Sequence, residues 1–324
     1  MSIASVSRYL NGRTTEVSAR TGARIQSAVD RLGYVPNLAA RSLKTGRSRL
    51  IGVLLANIAH PYWSMVLSGV EEASQDANYS VIVSSAGDRA DVENRYLQMF
   101  LEQRVDGILL NPAIAEPEIV AHWGRLTIPV ITIDRTIPGL PFGLVAMDNA
   151  LGTRLAVEHL LGLGHRRIGF VSWPVGTLSN RQERLQGYRE ALGDAGIAVD
   201  PALIRYAAEG WSDGVDRTLE LLDEPDPPTA ILSATSMLNL QVLAAIKRRG
   251  LRVPEDISVV GYDDSPWDPL LDPPLTTVAT PAHDLGVAAT KRLIDTIDGN
   301  GIPPEEEIRL KPELVVREST GIMG

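Results

Sequence analysis

From Leu50 onward, short apolar and β-branched runs alternate with stretches of helical pattern, and that alternation leaves few architectures open. The runs are IGVLLAN, SVIVSS, DGILLN and PVITID, followed by RIGFVS, LIRYAA, TAILSA and ISVVGYDD. Helices are expected between them over 62–77, 89–103, 151–161, 180–195 and 237–249. Strands this uniformly apolar need cover on both faces, which predicts an α/β body of parallel sheets flanked by helices. Two sets of four runs predict two similar lobes.

In open sheets of this kind ligands bind outside the carboxyl ends of the strands, so the loop after each run is the place to look. AHPYWS follows the first run, and its Tyr62 and Trp63 can clamp a sugar ring or planar base. Asp88, Asn111 and Asp134 end or follow the next three runs and offer acceptors and donors suited to vicinal hydroxyls. In the second set, Arg184 lies on an early turn of its helix, where a guanidinium can hold ring oxygens or a carboxylate. Trp211 offers a second flat wall, Thr235 follows TAILSA, and Asp263 ends VVGYD.

The charge is unevenly placed. Residues 1–49 carry nine basic side chains (Arg8, Arg13, Arg20, Arg24, Arg31, Arg41, Lys44, Arg47, Arg49) against Glu16 and Asp30, or +7. The rest must therefore carry −16 to reach the overall −9. A basic head meets phosphates and an acidic body avoids them. Within the head, Ser2 can cap a short helix whose stripe is Ile3, Val6 and Leu10, closed by Asn11-Gly12. A second helix is expected from Ser18 to a stop at Gly33, with its stripe through Ile25, Ala28, Val29 and Leu32. In YVPNLAARSLKTG, Pro36 blocks helix just before it, Asn37 can cap, and 38–44 can form a short helix that is marginal by itself.

VSRYLNG and then VSARTGARIQSAVDRLGYVPNLAARSL resemble, in order, the recognition, third and hinge helices of the lactose-repressor (LacI/GalR) family of bacterial regulators. The resemblance continues to the C-terminus, and it implies a body like that of periplasmic sugar-binding proteins. By this resemblance Ile3, Ala4 and Arg8 sit where the family reads base edges in the major groove. Ser5, Ser7, Asn11, Ser18 and Thr21 sit at phosphate-contacting positions, with Asn37 opening the hinge. Leu43 is placed to wedge into a central minor-groove step, with Ala40 beside it. Asp263 matches the aspartate that family members commonly use for ligand hydroxyls, whereas Thr235-Ser236 stands where the family usually has Asn-Asp. Two short hydroxyls leave more room and less negative charge there, which puts a standard hexose in question. Family members also place another helix and turn before this point. A chain read from Met1 is thus expected to present a partial helix-turn-helix, with Ile3, Val6, Ile25 and Val29 short of a packing surface.

The resemblance implies a head and hinge over 1–49 and an effector-binding body over 50–324. Its first lobe is expected at about 50–148 plus 281–302 and its second at about 149–280 plus 303–324, with crossings near Asp148, 277–281 and Pro303. The implied partners are operator DNA, a sugar or related small-molecule effector and a second copy of the chain in a homodimer, with no cofactor. There is no cysteine, and His60, His122, His159, His165 and His283 show no metal-ligand spacing. No phosphate-binding loop or nucleophile elbow occurs, so an enzyme is not expected. No apolar run is long enough for a membrane span and no signal segment opens the chain, which points to the cytoplasm. Two other readings remain open: a sensor without independent DNA binding and a sugar-binding protein of transport type.

Overall fold

The computed structural model describes residues 2–10, 14–33, 46–113, 123–124, 126–136, 139, 142–208, 212–303 and 306–323. Two compact units emerge, Met1–Arg49 and Leu50–Gly324. Asn11, Asn37, Ala40, Leu43 and Trp211, and the expected hinge helix, lie outside the described residues.

In the first unit α1 (Ile3–Leu10) and α2 (Ala19–Leu32) flank a short 3-10 turn, Thr14–Glu16. Ser18 caps α2 in extended conformation and accepts from the Thr21 amide at 3.4 Å, while Gly33 closes it with a φ of 56° that a side chain would resist. Gly22 looks like an interruption in the helical pattern, but a methyl there would stand 2.9 Å from the Tyr9 ring, so the glycine is what lets α1 approach α2. Ile25 is buried, Val29 half-buried and Leu32 is 73% exposed, so the apolar stripe of α2 is covered only over its N-terminal half.

In the second unit the described residues form two six-stranded sheets. The first holds β1 (Leu50–Leu55), β2 (Ser80–Ser85), β3 (Gly107–Leu110), β4 (Val130–Ile133), β5 (Gly143–Met147) and β11 (Ile308–Leu310), in the parallel order β2-β1-β3-β4-β5-β11. The second holds β6 (Ile168–Ser172), β7 (Ile204–Tyr206), β8 (Ala230–Ser233), β9 (Ser258–Tyr262), β10 (Thr276–Ala279) and β12 (Glu313–Val315), in the order β7-β6-β8-β9-β10-β12. Only β12 runs antiparallel to its neighbour. Apart from the direction of that last strand the lobes repeat one topology, and each switches winding direction at its first strand.

Both faces of each sheet are covered. Ile51, Val53 and Leu55 of β1 face α3 (Tyr62–Asp76) and α9 (Ala282–Ile297), while Leu54 faces α4 (Ala90–Glu102). In the second lobe α5 (Asn149–Gly162) and α6 (Ser179–Asp194) cover one face, α7 (Asp213–Leu222) and α8 (Ser236–Arg248) the other. Glycines bring the paired helices together: a methyl at Gly69 of α3 would run into the His283 carbonyl of α9, and one at Gly187 of α6 into the Ala150 carbonyl of α5.

Two sequence expectations need correction. Four runs per lobe undercount the strands, because GLVAM, TTVA and the three-residue edge strands carry too little periodicity to read as strands alone. The third crossing lies at Lys311–Pro312 instead of near Pro303, and residues 308–310 belong to the first lobe's sheet, where Ile308 pairs with Val145. The proline suggested a break, but backbone hydrogen bonding to β5 decides which lobe the strand joins.

Candidate functional site

A cavity of about 430 Å3 lies between the lobes at the carboxyl ends of their strands. The loops after β1, β2, β3 and β4 bring Tyr62, Trp63, Asp88, Asn111 and Asp134 to its wall, and those after β6, β8 and β9, with α6, bring Arg184, Thr235 and Asp263. Trp63 is 5% exposed and belongs mainly to the first lobe's core, so less of its ring faces the cavity than a stacking wall needs.

Three cavity aspartates lie in the left-handed region, with φ of 69° at Asp134 and 72° at Asp263, each directly after its strand, and 59° at Asp88, in the loop three residues past β2. Asp and Asn tolerate that conformation best among residues with side chains, and it turns the carboxylates off the sheet toward the cleft. Asp134 accepts from Asn180 Nδ2 across the cleft at 3.0 Å and from Asn111 Nδ2 at 3.4 Å. Asp263 accepts from Thr280 Oγ1 at 2.9 Å and from the Ser236 amide at 3.3 Å. Burial, reinforced by the Asp263 and Glu183 charges, raises the Asp134 pKa against Arg135 and Arg184. Burial pushes Asp263 the same way, but Arg184, His60 and its two hydrogen-bond donors prevail and hold it below the usual carboxylate range.

The guanidinium groups are occupied by protein. Arg184 donates to Asn149 Oδ1 at 2.8 Å and to the Ala234 carbonyl at 2.6 Å, and stacks 4.2 Å over Tyr262. Arg135 donates to the Pro112 carbonyl, and Arg181 to that of Pro174 while lying over Trp173. Three carboxylates and three committed arginines make a balanced wall.

The Tyr62 hydroxyl is buried without a hydrogen-bond partner, near enough to Asp134, Asp263 and Arg184 that their charges act on it. Burial, then the two aspartates, raise its pKa well above normal, so it stays a neutral phenol able to donate and accept.

Sequence reading did not single out His60, Trp173, Asn180, Arg135 or Arg181 as cavity residues. Asn180 and Arg181 stand in the same NRQER segment as Arg184, which was a usable signal. His60 Nε2 lies 3.1 Å from Thr235 Oγ1 on the opposite lobe, a pairing that no sequence pattern announces. Burial lowers the His60 pKa below 6.5, with Arg184, Arg135 and Arg181 acting the same way and Asp263 opposing.

A model of the periplasmic binding protein-like domain matches residues 157–320, and one of bacterial regulatory proteins, lacI family, matches residues 1–37. The helix-turn-helix-type transcriptional repressor CytR of Escherichia coli K12 is 32% identical over 99% of this chain and 93% of its own length. The chain belongs to the lacI family. Among solved structures, the complex of the transcriptional regulator CelR with cellobiose is 32% identical, covers 97% of this chain and 94% of its own, and gives a TM-score of 0.74. The lac repressor dimer bound to operator and an anti-inducer is 30% identical, covers 99% of this chain and 96% of its own, and gives a TM-score of 0.88.

In this lacI-family head, Ala4 and Arg8 are both exposed and one helical turn apart, so they share a face of α1. Arg8 Nε pairs with Glu16 at 3.4 Å. Ser5 bonds Ser2 Oγ, and the Ser18 and Thr21 hydroxyls bond each other at 2.9 Å at the start of α2. The side chains of Ile3 and Ser7 lie outside the described residues.

Proposed function

We propose that this chain is an effector-responsive repressor that takes an uncharged, hydroxyl-rich small molecule, a saccharide or glycoside, in the cleft between its lobes. The observation that carries the reading is the Tyr62 hydroxyl, buried and unpartnered, beside Asp134, Asp263 and Arg184 in a cavity of about 430 Å3. Leaving such a group unpaired costs free energy, and a ligand hydroxyl can satisfy it while the two carboxylates accept from neighbouring hydroxyls. The carboxylates of Asp88, Asp134 and Asp263 offset the charges of Arg135, Arg181 and Arg184 in the same wall, which disfavours an anionic ligand. Relatives named for transcriptional repression support a non-enzymatic, cytoplasmic role. Among the described residues no helix is long and apolar enough to cross a membrane. On this reading Ile3, Ala4 and Arg8 read bases, Ser5, Ser7, Asn11, Ser18 and Thr21 contact phosphates, Asn37, Ala40 and Leu43 serve the hinge, and Trp211 joins the effector site. Two copies bind a near-palindromic operator. Calorimetric titration of the full chain with glucose, ribose and cellobiose, followed by fluorescence anisotropy on an operator selected from random duplexes, tests it. A saccharide that binds and shifts operator affinity is the expected result; duplex binding indifferent to every saccharide is the contrary one.

A further inference from the structure

His60 and Trp173 come from opposite lobes, on the loops after β1 and β6, and their rings meet edge to face with centroids 5.9 Å apart and an interplanar angle of 84°. Each lines the cavity. Each also keeps one ring nitrogen buried and without a partner, Nδ1 on His60 and Nε1 on Trp173. The other imidazole nitrogen, Nε2, is engaged by Thr235 Oγ1. Thr235 is the residue before α8 and has extended backbone suited to capping, yet its side chain makes no cap bond and turns to His60 instead.

The two orphaned atoms are chemically complementary. An indole N–H can only donate. With Nε2–H donating to Thr235, His60 Nδ1 can only accept. A hydroxyl is the simplest group that accepts from one and donates to the other.

Resting on the saccharide reading of the cleft, we propose a second hydrogen-bonding subsite between His60 and Trp173 that reads one hydroxyl of the effector from both lobes at once. A ligand hydroxyl seated there accepts from Trp173 Nε1–H and donates to His60 Nδ1, which locks the Nε2–H tautomer and strengthens the His60–Thr235 bond between the lobes. Occupancy and lobe closure are then one event. A saccharide with hydrogen in place of that hydroxyl leaves both nitrogens unsatisfied and is discriminated against.

Two measurements on the full chain test this. Imidazole 15N NMR, with His60 assigned by the signal lost in His60→Gln, is expected to show His60 as the neutral Nε2–H tautomer at pH 7.5; the Nδ1–H tautomer overturns the subsite. Calorimetry then uses glucose, ribose and cellobiose as probes. Trp173→Phe and His60→Gln are each expected to weaken the tightest of the three roughly five- to tenfold, the range of one hydrogen bond. The double variant should lose no more than either single one, because one hydroxyl serves both groups. His60→Asn, whose amide can place an acceptor near the position of Nδ1, should retain most of the affinity. Undiminished affinity in the single variants, or additive losses, overturn the shared hydroxyl. Failure of all three probes to bind counts against the saccharide reading, and the tautomer then decides the subsite. Circular dichroism verifies each fold, with Trp173→Tyr substituting if Trp173→Phe does not fold.

Discussion

At the scale of single residues, the cleft depends on side chains held where they are costly to hold. Asp263 combines a left-handed backbone with a buried carboxylate that Arg184 keeps ionised. Asp263→Ala is expected to lower saccharide affinity at least tenfold by calorimetry, since it removes the acceptor and leaves Arg184, Thr280 and Ser236 without it. Glu93 is a different case. It is fully buried on α4, accepts from the Ala113 amide at 2.9 Å through one oxygen and leaves the other unpartnered. Burial is the main reason its pKa rises to about 7. Below about pH 4.5 the carboxyl is protonated in both folded and unfolded chains. As pH rises toward 7 the unfolded chain releases that proton while the folded chain holds it, so stability falls across this window and levels off above it. The loss is on the order of 3 kcal/mol. Urea denaturation at pH 5 and pH 8 should show it, and Glu93→Gln should flatten the difference. The strand-end aspartates were legible in the sequence because loops after apolar runs are few. His60 was not, because its partner Thr235 lies in the other lobe.

At the scale of elements, helix ends and helix pairs answer to different constraints. Ser18 and Gly33 bound α2 where their chemistry says they should, since capping is local and a few residues suffice to specify it. Ser18→Ala is expected to cost the head about 1 kcal/mol, read from its helical signal on heating. The helix pairs depend on remote backbone. Gly69 and Gly286 set the approach of α3 to α9, and Gly187 that of α6 to α5, with a carbonyl where a side chain would start. Gly69→Ala and Gly187→Ala should each destabilise the body by about 1–3 kcal/mol in guanidinium titrations, because backbone cannot yield as a side-chain tip can. Nothing in the sequence marks these three glycines, since a helical pattern with glycine in it reads only as a weaker helix.

For the molecule as a whole, opposed charges and shared strands set the behaviour. Residues 1–49 carry nine basic side chains against two acidic ones, while the remainder carries −16. Operator affinity should therefore fall steeply with salt, by about a thousandfold or more between 50 and 200 mM if six or more phosphates are neutralised across the dimer, as anisotropy titrations would show. From the cavity, Arg184 bonds Asn149 Oδ1; Asn149 Nδ2 donates to Glu183 Oε2 at 3.1 Å, and Arg309 on β11 donates to the same oxygen at 2.9 Å. This series of bonds ties the cavity wall to one of the strands where the backbone passes between lobes. Arg309→Ala is expected to leave the tightest saccharide bound within about threefold while reducing the factor by which it shifts operator affinity. Such a coupling is reciprocal between the two sites.

Residue order alone determined what depends on neighbours in the chain: the alternation that demands doubly covered parallel sheets, the capped α2, the basic head and the aspartates at strand ends. Tertiary structure decided what depends on atoms far apart in sequence. It assigned Ile308–Leu310 to the first lobe through pairing with β5, placed glycines against distant carbonyls, and set His60 against Thr235 and Trp173 across a cleft. The division follows from the range of the forces: periodicity and capping act within a few residues, whereas edge pairing, close packing and cleft contacts exist only once the chain has folded back on itself.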